Sequence, residues 1–283
     1  MKIVRSIGLM QKISKRLKEK GKTIGFVPTM GYLHQGHLSL MRKSRKDCDI
    51  TVISIYVNPL QFGPKEDFQK YPRDLETDIK LAKKEGVDYI FIPDDQQMYA
   101  QGFLTHVVVD RIADILCGAS RPGHFKGVTT VVTKLFNIVC PSIAYFGQKD
   151  AQQAIVIKKL VNDLNIPLKI KVLPIIRDPE GLALSSRNSY LNARERKQAQ
   201  LLYKALKLAE TEILAGQRNS GLVIKKMKRL LTCTNSVKID YIAIVDSKDL
   251  SSKKIIKGKI LIALAVFIGK IRLIDNIILN IND

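Results

Sequence analysis

His34 and His37 bracket a glutamine and a glycine in His34-Gln35-Gly36-His37. The apolar run just before them, residues 23–29, reads as a short buried strand. Met30-Gly31 and Gln35-Gly36 supply turn residues, and the chain from His37 onward reads as a helix opening. A strand, a glycine-containing turn and a helix start present backbone N–H groups to a phosphate. Two imidazoles add donors beside them, the first from the turn and the second from the helix start. Gly36 is expected to leave room for a ligand against the backbone. Alone, H-x-x-H also fits a metal pair or two surface histidines. The glycine between them and the strand upstream favour the phosphate reading.

The elements that must position these groups alternate along the chain. Strand patterns fall at 23–29, 50–57, 87–93, 105–110, 143–146 and 168–175, with helical patterns at 36–46, 75–85, 128–139 and 151–164. That alternation predicts an α/β fold, a Rossmann-like parallel sheet covered on both faces. Ligands of such sheets bind at the carboxyl ends of strands near a topological switch, where His34 and His37 would sit. The last third changes character. Asn192 with Glu195 forms a capping-box pattern before a long helix at 193–215. A second helix at 222–231 and strands at 238–245 and 259–268 make a smaller α+β unit. A hinge near Ile176-Arg177 divides the chain into domains 1–176 and 177–283. Neither the P-loop pattern nor G-x-G-x-x-G occurs.

The chain has 283 residues, 46% of them hydrophobic, enough for real cores. The longest purely apolar run, 260–268, is far short of the roughly 20 residues that span a bilayer. The first residues show no long apolar signal segment. A cytoplasmic protein with no membrane partner is expected. Cys48, Cys117, Cys140 and Cys233 show no C-x-x-C or zinc spacing, so they read as reduced thiols, with Cys48, Cys140 and Cys233 as small buried hydrophobes. Lys and Arg number 47 against 26 Asp and Glu, a net charge of +21. The basic residues are dispersed, as on a solvated helix face, so no physiological nucleic acid is expected. ATP needs only a local part of this field.

Pro28-Thr-Met-Gly-Tyr-Leu-His-Gln-Gly-His37 resembles the H-x-G-H signature of a nucleotidyl-transferring α/β superfamily, and within it the pantothenate synthetase (pantoate–β-alanine ligase) family. Five further segments match that family in order: Asn58-Pro-Leu-Gln-Phe-Gly63, Tyr71-Pro-Arg73, Arg121-Pro-Gly-His-Phe-Lys-Gly-Val128, Phe146-Gly-Gln-Lys-Asp150 and Leu184-Ser-Ser-Arg-Asn188. Gly269-Lys-Ile-Arg-Leu-Ile-Asp-Asn276 is similar to its final segment. The resemblance spans almost the whole chain.

The resemblance implies an ATP site of Met30, Gly31, His34, His37, Gly147, Gln148, Lys149, Asp150, Ile176, Leu184, Ser185, Ser186 and Arg187. His34, His37 and Lys149 would be catalytic. Gly147 would let the nucleotide approach the backbone, Lys149 would neutralise phosphate charge and Asp150 would accept from the ribose. Ser185, Ser186 and Arg187 would form a donor cluster for the outer phosphates. Gln61 and Gln153 would bind pantoate, since an amide both donates and accepts, with Gln61 also near β-alanine. Pro28, Met30 and Phe62 would wall the gem-dimethyl group. Arg121 would guide β-alanine or clamp an anion, and His124 is read equally as functional or structural. Two departures stand out: Leu184 replaces the usual Met, and Cys117 stands where the family commonly carries Glu.

The implied reaction is ATP-dependent condensation of (R)-pantoate with β-alanine through pantoyl adenylate, releasing pyrophosphate and AMP. Mg2+ would arrive with ATP, with no protein-built metal site. The resemblance also implies a homodimer, and the placement of Leu184-Ser-Ser-Arg187 just after the hinge near Ile176 points to a lid role for 177–283. A small adenylyltransferase would release pyrophosphate without AMP. A basic RNA-binding module would bind RNA in a salt-sensitive way with no ATP turnover.

Overall fold

The computed structural model describes residues 1–64, 66–234 and 236–281. Its first sheet holds β1 (Lys2–Val4), β2 (Ile24–Thr29), β3 (Ile50–Ile55), β4 (Tyr89–Phe91), β5 (Ile143–Gly147) and β6 (Lys169–Leu173). Every pairing is parallel, in the order β1-β4-β3-β2-β5-β6. Around it lie α1 (Ile7–Glu19), α2 (Gln35–Asp47), α3 (Leu75–Lys84), the single turns α4 (Asp95–Met98) and α5 (Cys117–Ser120), α6 (His124–Val139) and α7 (Ala151–Asp163). The sheet is buried on both faces, so its strands are apolar runs. In β2, Phe26 joins the core under α1, α6 and α7, while the next residue, Val27, joins the core under α2 and α3.

Strand order reverses at β2. The chain runs outward from β2 through β3 to β4, then returns through α6 to place β5 on the other side of β2. The crevice at the carboxyl ends of β2 and β5 is therefore the switch point, where ligands of such sheets bind.

Residues 105–110 do not form the expected strand. Thr129 Oγ1 donates to the Val107 carbonyl (2.6 Å), and the Val107 N–H donates to Thr130 Oγ1 (3.0 Å). The hydroxyls of α6 thus satisfy an extended segment that the sheet does not take up. The β4 edge it would have joined is taken by β1.

The second unit contains α8 (Ala193–Leu214), α9 (Ser220–Leu231) and the antiparallel strands β7 (Val237–Asp246), β8 (Gly258–Ile268) and β9 (Ile271–Ile281). Both halves of the predicted capping box form: Glu195 N–H donates to Asn192 Oδ1 and Asn192 N–H to Glu195 Oε2, each at 2.9 Å. One sheet face packs under α8 and α9. The other sets Leu261 and Ala263 beside Ala151 of α7. All four cysteines are free. Cys48 is buried as expected, but Cys140 is half-buried at the end of α6 and Cys233 is exposed just past α9.

Candidate active site

β2 ends at Thr29, and the next four residues turn sharply. Gly31 (φ +81°) and Tyr32 (φ +50°) are both left-handed. The carboxylate of Asp78 on α3 receives the N–H groups of Tyr32 (2.8 Å) and Leu33 (2.7 Å). His34 then caps α2.

The two histidines lock each other. His34 Nδ1 accepts from the Gly36 N–H (3.2 Å), and His37 Nδ1 accepts from the His34 N–H (3.3 Å). The ring centroids are 4.1 Å apart. Burial first, and then the Lys149 charge, hold His34 at a pKa of about 4. Burial, His34 and Lys149 depress His37 well below 6.5. Both rings are therefore neutral at pH 7. With each Nδ1 accepting, the proton sits on Nε2, and neither Nε2 has a protein partner among the described residues. The turn thus presents two neutral N–H donors rather than two cations.

Gly36 lines the cleft and has a second role besides the one expected. A Cβ there would lie 2.8 and 2.9 Å from the Cε1 and Nδ1 of His34. The missing side chain makes room for the His34 ring, and the ring takes the Gly36 N–H that a phosphate would otherwise use.

β5 ends at Gly147, and a single turn, Gln148–Asp150, leads into α7. Lys149 Nζ lies 3.7 Å from its neighbour Asp150. From β9, Asn276 Nδ2 donates to the carbonyls of Gln148 and Lys149, both at 3.0 Å. Gln148 Nε2 in turn donates to Asn276 Oδ1 at 3.3 Å. The Gln148 side chain is therefore directed to β9.

Gln61 closes a one-turn helix, Pro59–Gln61, after β3. Its Oε1 accepts from Asn58 Nδ2 (3.1 Å) and its Nε2 points at Met30 Sδ (3.2 Å). Its carbonyl accepts from His124 Nδ1 (2.9 Å) and Arg121 (3.3 Å). His124 is neutral: burial first, then the Arg121 charge, lower its pKa to about 4, against the Gln61 bond and the acids Glu66 and Asp150. Arg121 donates from Nε to Glu66 (2.7 Å) and shares a bond with His124 Nε2 (3.1 Å). Neither residue is a free cation, so Arg121 acts here as a brace for Gln61.

The second unit reaches the cleft through a short hairpin. Arg177 and Ala183 pair across it, and the Leu184 N–H donates to the Ile176 carbonyl (3.0 Å). Beyond it, Ser185 Oγ accepts from the Arg187 N–H and Ser186 Oγ donates to the Tyr32 carbonyl, both at 3.3 Å. Arg187 grips Asp67 through Nε (2.8 Å) and a terminal nitrogen (2.7 Å). The expected donor cluster is thus docked on the first unit, with two guanidinium donors already engaged.

One cavity of about 230 Å3 gathers Met30, His34, His37, Gln61, Gly147, Lys149, Asp150, Gln153, Ile176, Leu184, Ser185, Ser186 and Arg187. Pro28 and Phe62 line it as an apolar wall, joined by Val128, Val131 and Val132 of α6. Gly31 and Gln148 lie outside it. A smaller cavity of about 80 Å3 between the units shares Lys149, Gln153 and Arg187 with it. Cys117 lines that space, 3.2 Å from the Tyr241 hydroxyl and 3.5 Å from Arg272. Arg272 draws its counter-charge from Asp240, at 3.0 and 2.7 Å.

The sequence profile described as pantoate-beta-alanine ligase matches residues 2–278. The chain belongs to the pantoate–β-alanine ligase family. Among its relatives, the pantothenate synthetase of Caldicellulosiruptor saccharolyticus is 56% identical, over 99% of this chain and 100% of that one. The crystal structure of pantothenate synthetase from Thermus thermophilus superposes with a TM-score of 0.94 at 40% identity, covering 98% of this chain and 99% of that one. A pantoate-beta-alanine ligase structure from Francisella tularensis, described as complexed with beta-gamma ATP and beta-alanine, gives a TM-score of 0.79 at 39% identity, covering 98% and 97%.

Sequence reading assigned no role to Asp78, Glu66, Asp67 or Asn276 in this ligase fold. Asp78 left a signal: it lies with Leu75, Ile79 and Ala82 on the buried face of α3. The other three are acidic or amide residues whose partners are distant in sequence; no local pattern marks Glu66 or Asp67, and Asn276 ends the family-like segment 269–276 without a role being implied for it.

Proposed function

We propose that this chain joins (R)-pantoate to β-alanine at the expense of ATP, in two steps. A pantoate carboxylate oxygen attacks the α-phosphorus, and the bond to the pyrophosphate leaving group breaks. The β-alanine amine, having lost its proton, then attacks the acyl carbon, and AMP leaves. The carboxylate is already nucleophilic, so catalysis is positioning and charge stabilisation.

The observation that carries this reading is the convergence of His34, His37 and Lys149 with Gln61, Gln153 and Ser185–Arg187 on one cavity. The Nε2–H groups of His34 and His37 donate to phosphate oxygens, and Lys149 supplies the positive charge. Asp150 accepts from the ribose, and Ile176 with Leu184 flanks the base. Gln61 and Gln153 hold pantoate against Pro28, Met30 and Phe62. Mg2+, when bound, offsets phosphate charge. Such an ion would come with ATP, held by the phosphates and few protein groups. Asp150 is the one carboxylate lining the cleft among the described residues.

The division at 176/177 makes residues 177–283 the lid unit, whose moving part is the 184–190 segment that brings Ser185–Arg187 to the phosphates. The resemblance supports a homodimer. The four free cysteines accord with a reducing cytoplasm. No described helix is long and apolar enough to cross a membrane.

The test is AMP and pyrophosphate release with ATP, pantoate and β-alanine, omitting each in turn. Pyrophosphate is expected without β-alanine, and AMP only when all three are present. Pyrophosphate that requires β-alanine would rule out the independent adenylation step.

A further inference from the structure

Successive N–H groups in a turn with left-handed residues converge to form a concave anion site. Residues 31–33 make such a site: Gly31 and Tyr32 are left-handed, and the N–H groups of Tyr32 and Leu33 converge. A Cβ on Gly31 would lie 2.8 Å from Asp78 Oδ2 and 3.0 Å from Ile55, so space and backbone both require glycine there. The anion in this concavity is the protein's own. Asp78 is 2% exposed, meets one N–H with each oxygen, and has no lysine or arginine partner among the described residues.

We infer that Asp78 is a positioning residue for the phosphate-facing histidines, a built-in anion that fixes the turn from which both rings are hung. The chain of contacts is continuous. The N–H groups of Tyr32 and Leu33 go to Asp78, the next N–H, of His34, goes to His37 Nδ1, and the Gly36 N–H goes to His34 Nδ1. Rotating the Leu33 peptide moves the His34 N–H, the donor that orients the His37 ring. By filling the concavity, Asp78 also denies it to a phosphate, which leaves the Nε2–H pair as the donors a nucleotide meets. A full carboxylate is required, because each oxygen serves a different N–H. Asn would keep one acceptor and turn an NH2 donor toward the other N–H.

The inference rests on the reading that His34 and His37 face ATP, and its test separates the two. Asp78→Asn and Asp78→Ala are compared with the unaltered chain in ATP affinity, pantoate-dependent pyrophosphate release, KM for β-alanine and melting temperature. Asp78→Asn is expected to lose about 10²-fold in pyrophosphate release, the scale of a 1 Å misplacement. Its KM for β-alanine should not change, and its ATP affinity should fall about tenfold. In Asp78→Ala, added formate should restore turnover about tenfold by entering the vacated concavity, whereas neutral formamide should not. The proposal is overturned if folded Asp78→Asn keeps turnover and ATP affinity within about twofold of the unaltered chain. It is equally overturned if activity falls only in proportion to the unfolded fraction, or if formate and formamide act alike. If the unaltered chain releases no pyrophosphate, the ligase reading fails by itself, and ATP affinity in Asp78→Asn still decides the role of Asp78.

Discussion

Arg187 and Asp67 meet in a two-pronged ion pair across the two units, with Nε and a terminal nitrogen 2.8 and 2.7 Å from the two carboxylate oxygens. Burial opposes ionisation of Asp67, but the hydrogen bonds and charge of Arg187 outweigh it and hold the carboxyl below its ordinary range. The pair aims a planar donor at the cleft while tying residues 184–187 to the loop that carries Asp67. The adjacent residue, Glu66, holds Arg121 in the same way. Neighbouring carboxylates thus orient two arginines that line the cavity.

Arg187→Ala should reduce pyrophosphate formation by about 10²–10³-fold, as for loss of one preorganised donor to developing charge. Asp67→Asn should cost less, about tenfold, because the guanidinium remains but is loosely aimed. Rapid-quench pyrophosphate release measures both, and hydrogen exchange should show faster opening of residues 184–190 in Asp67→Asn. If that variant turns over faster than the unaltered chain, Asp67 competes with phosphate instead of orienting its receptor.

The depressed histidines make activity and stability respond differently to pH. Pyrophosphate release should show no ionisation near 6.5 and hold down to about pH 5, since His34 stays neutral until about 4 and His37 titrates well below its ordinary value. Stability should change sooner. The unfolded chain takes up protons near 6.5, while folded His34 and His124 resist until about 4. This contribution is whole above 6.5 and declines as pH falls from 6.5 toward 4. Denaturant titrations across that window check the slope. An acid limb of activity at 6.5 would mean that a histidine with an ordinary pKa must be neutral for turnover, and an alkaline limb there would mean that an imidazolium takes part.

Gly36→Ala separates room for the ring from room for a ligand. The added methyl should push the His34 ring out of its cap and reduce turnover by about 10²-fold. If the ring is displaced, the NMR signals of both imidazoles should change in the ligand-free protein. Unchanged ring signals with impaired ATP binding would return Gly36 to the ligand-contact role.

What was legible in the sequence was whatever is periodic or local. The β2–turn–α2 order around His34 and the Asn192–Glu195 box repeat at fixed spacing, so backbone geometry follows from the residues themselves. The 105–110 segment looked like a strand because its composition suits one, but its hydrogen bonds go to threonines on α6. β9 was hidden because Arg272, Asp275 and Asn276 interrupt its apolar pattern. Asp275 and Asn276 are 2% exposed and serve contacts outside the strand: Asp275 to Arg177, and Asn276 to the turn after β5. The expected site residues mostly converge because their segments end at one switch point. The exceptions, Gly31 and Gln148, have backbone or inter-unit roles that a motif does not distinguish from ligand contact.

Gln61→Ala and Gln153→Ala should raise the KM for pantoate far more than that for ATP. Each loses contacts worth about 1–3 kcal/mol, or roughly 5–150-fold. Gln61→Ala should be the more severe, since it also strips an acceptor from Asn58, which is 1% exposed. Steady-state kinetics with each substrate varied decides this. An equal rise in KM for ATP would place the glutamines in the nucleotide site.

Asn276 tests how the second unit supports the turn that carries Lys149. It is 2% exposed, and its amide donates to the carbonyls of Gln148 and Lys149 while accepting from Gln148. Asn276→Ala leaves two carbonyls short of a donor, at about 1–3 kcal/mol for each unmet buried group. Asn276→Asp is worse, because it sets carboxylate oxygens against those carbonyls, where no donor remains to meet them. Melting temperature and pyrophosphate release should both fall, in the order Asp below Ala below the unaltered chain. The same contact limits how the lid can move. A swing of the whole second unit would break the Asn276 bonds to the turn after β5, whereas movement of residues 184–190 alone would break the Ser186, Arg187 and Tyr190 contacts with the first unit and spare those of Asn276. Hydrogen exchange on adding ATP and pantoate should therefore change at 184–190 and leave the β9 amides as they were. Equal changes in β9 would mean that the unit closes as one body.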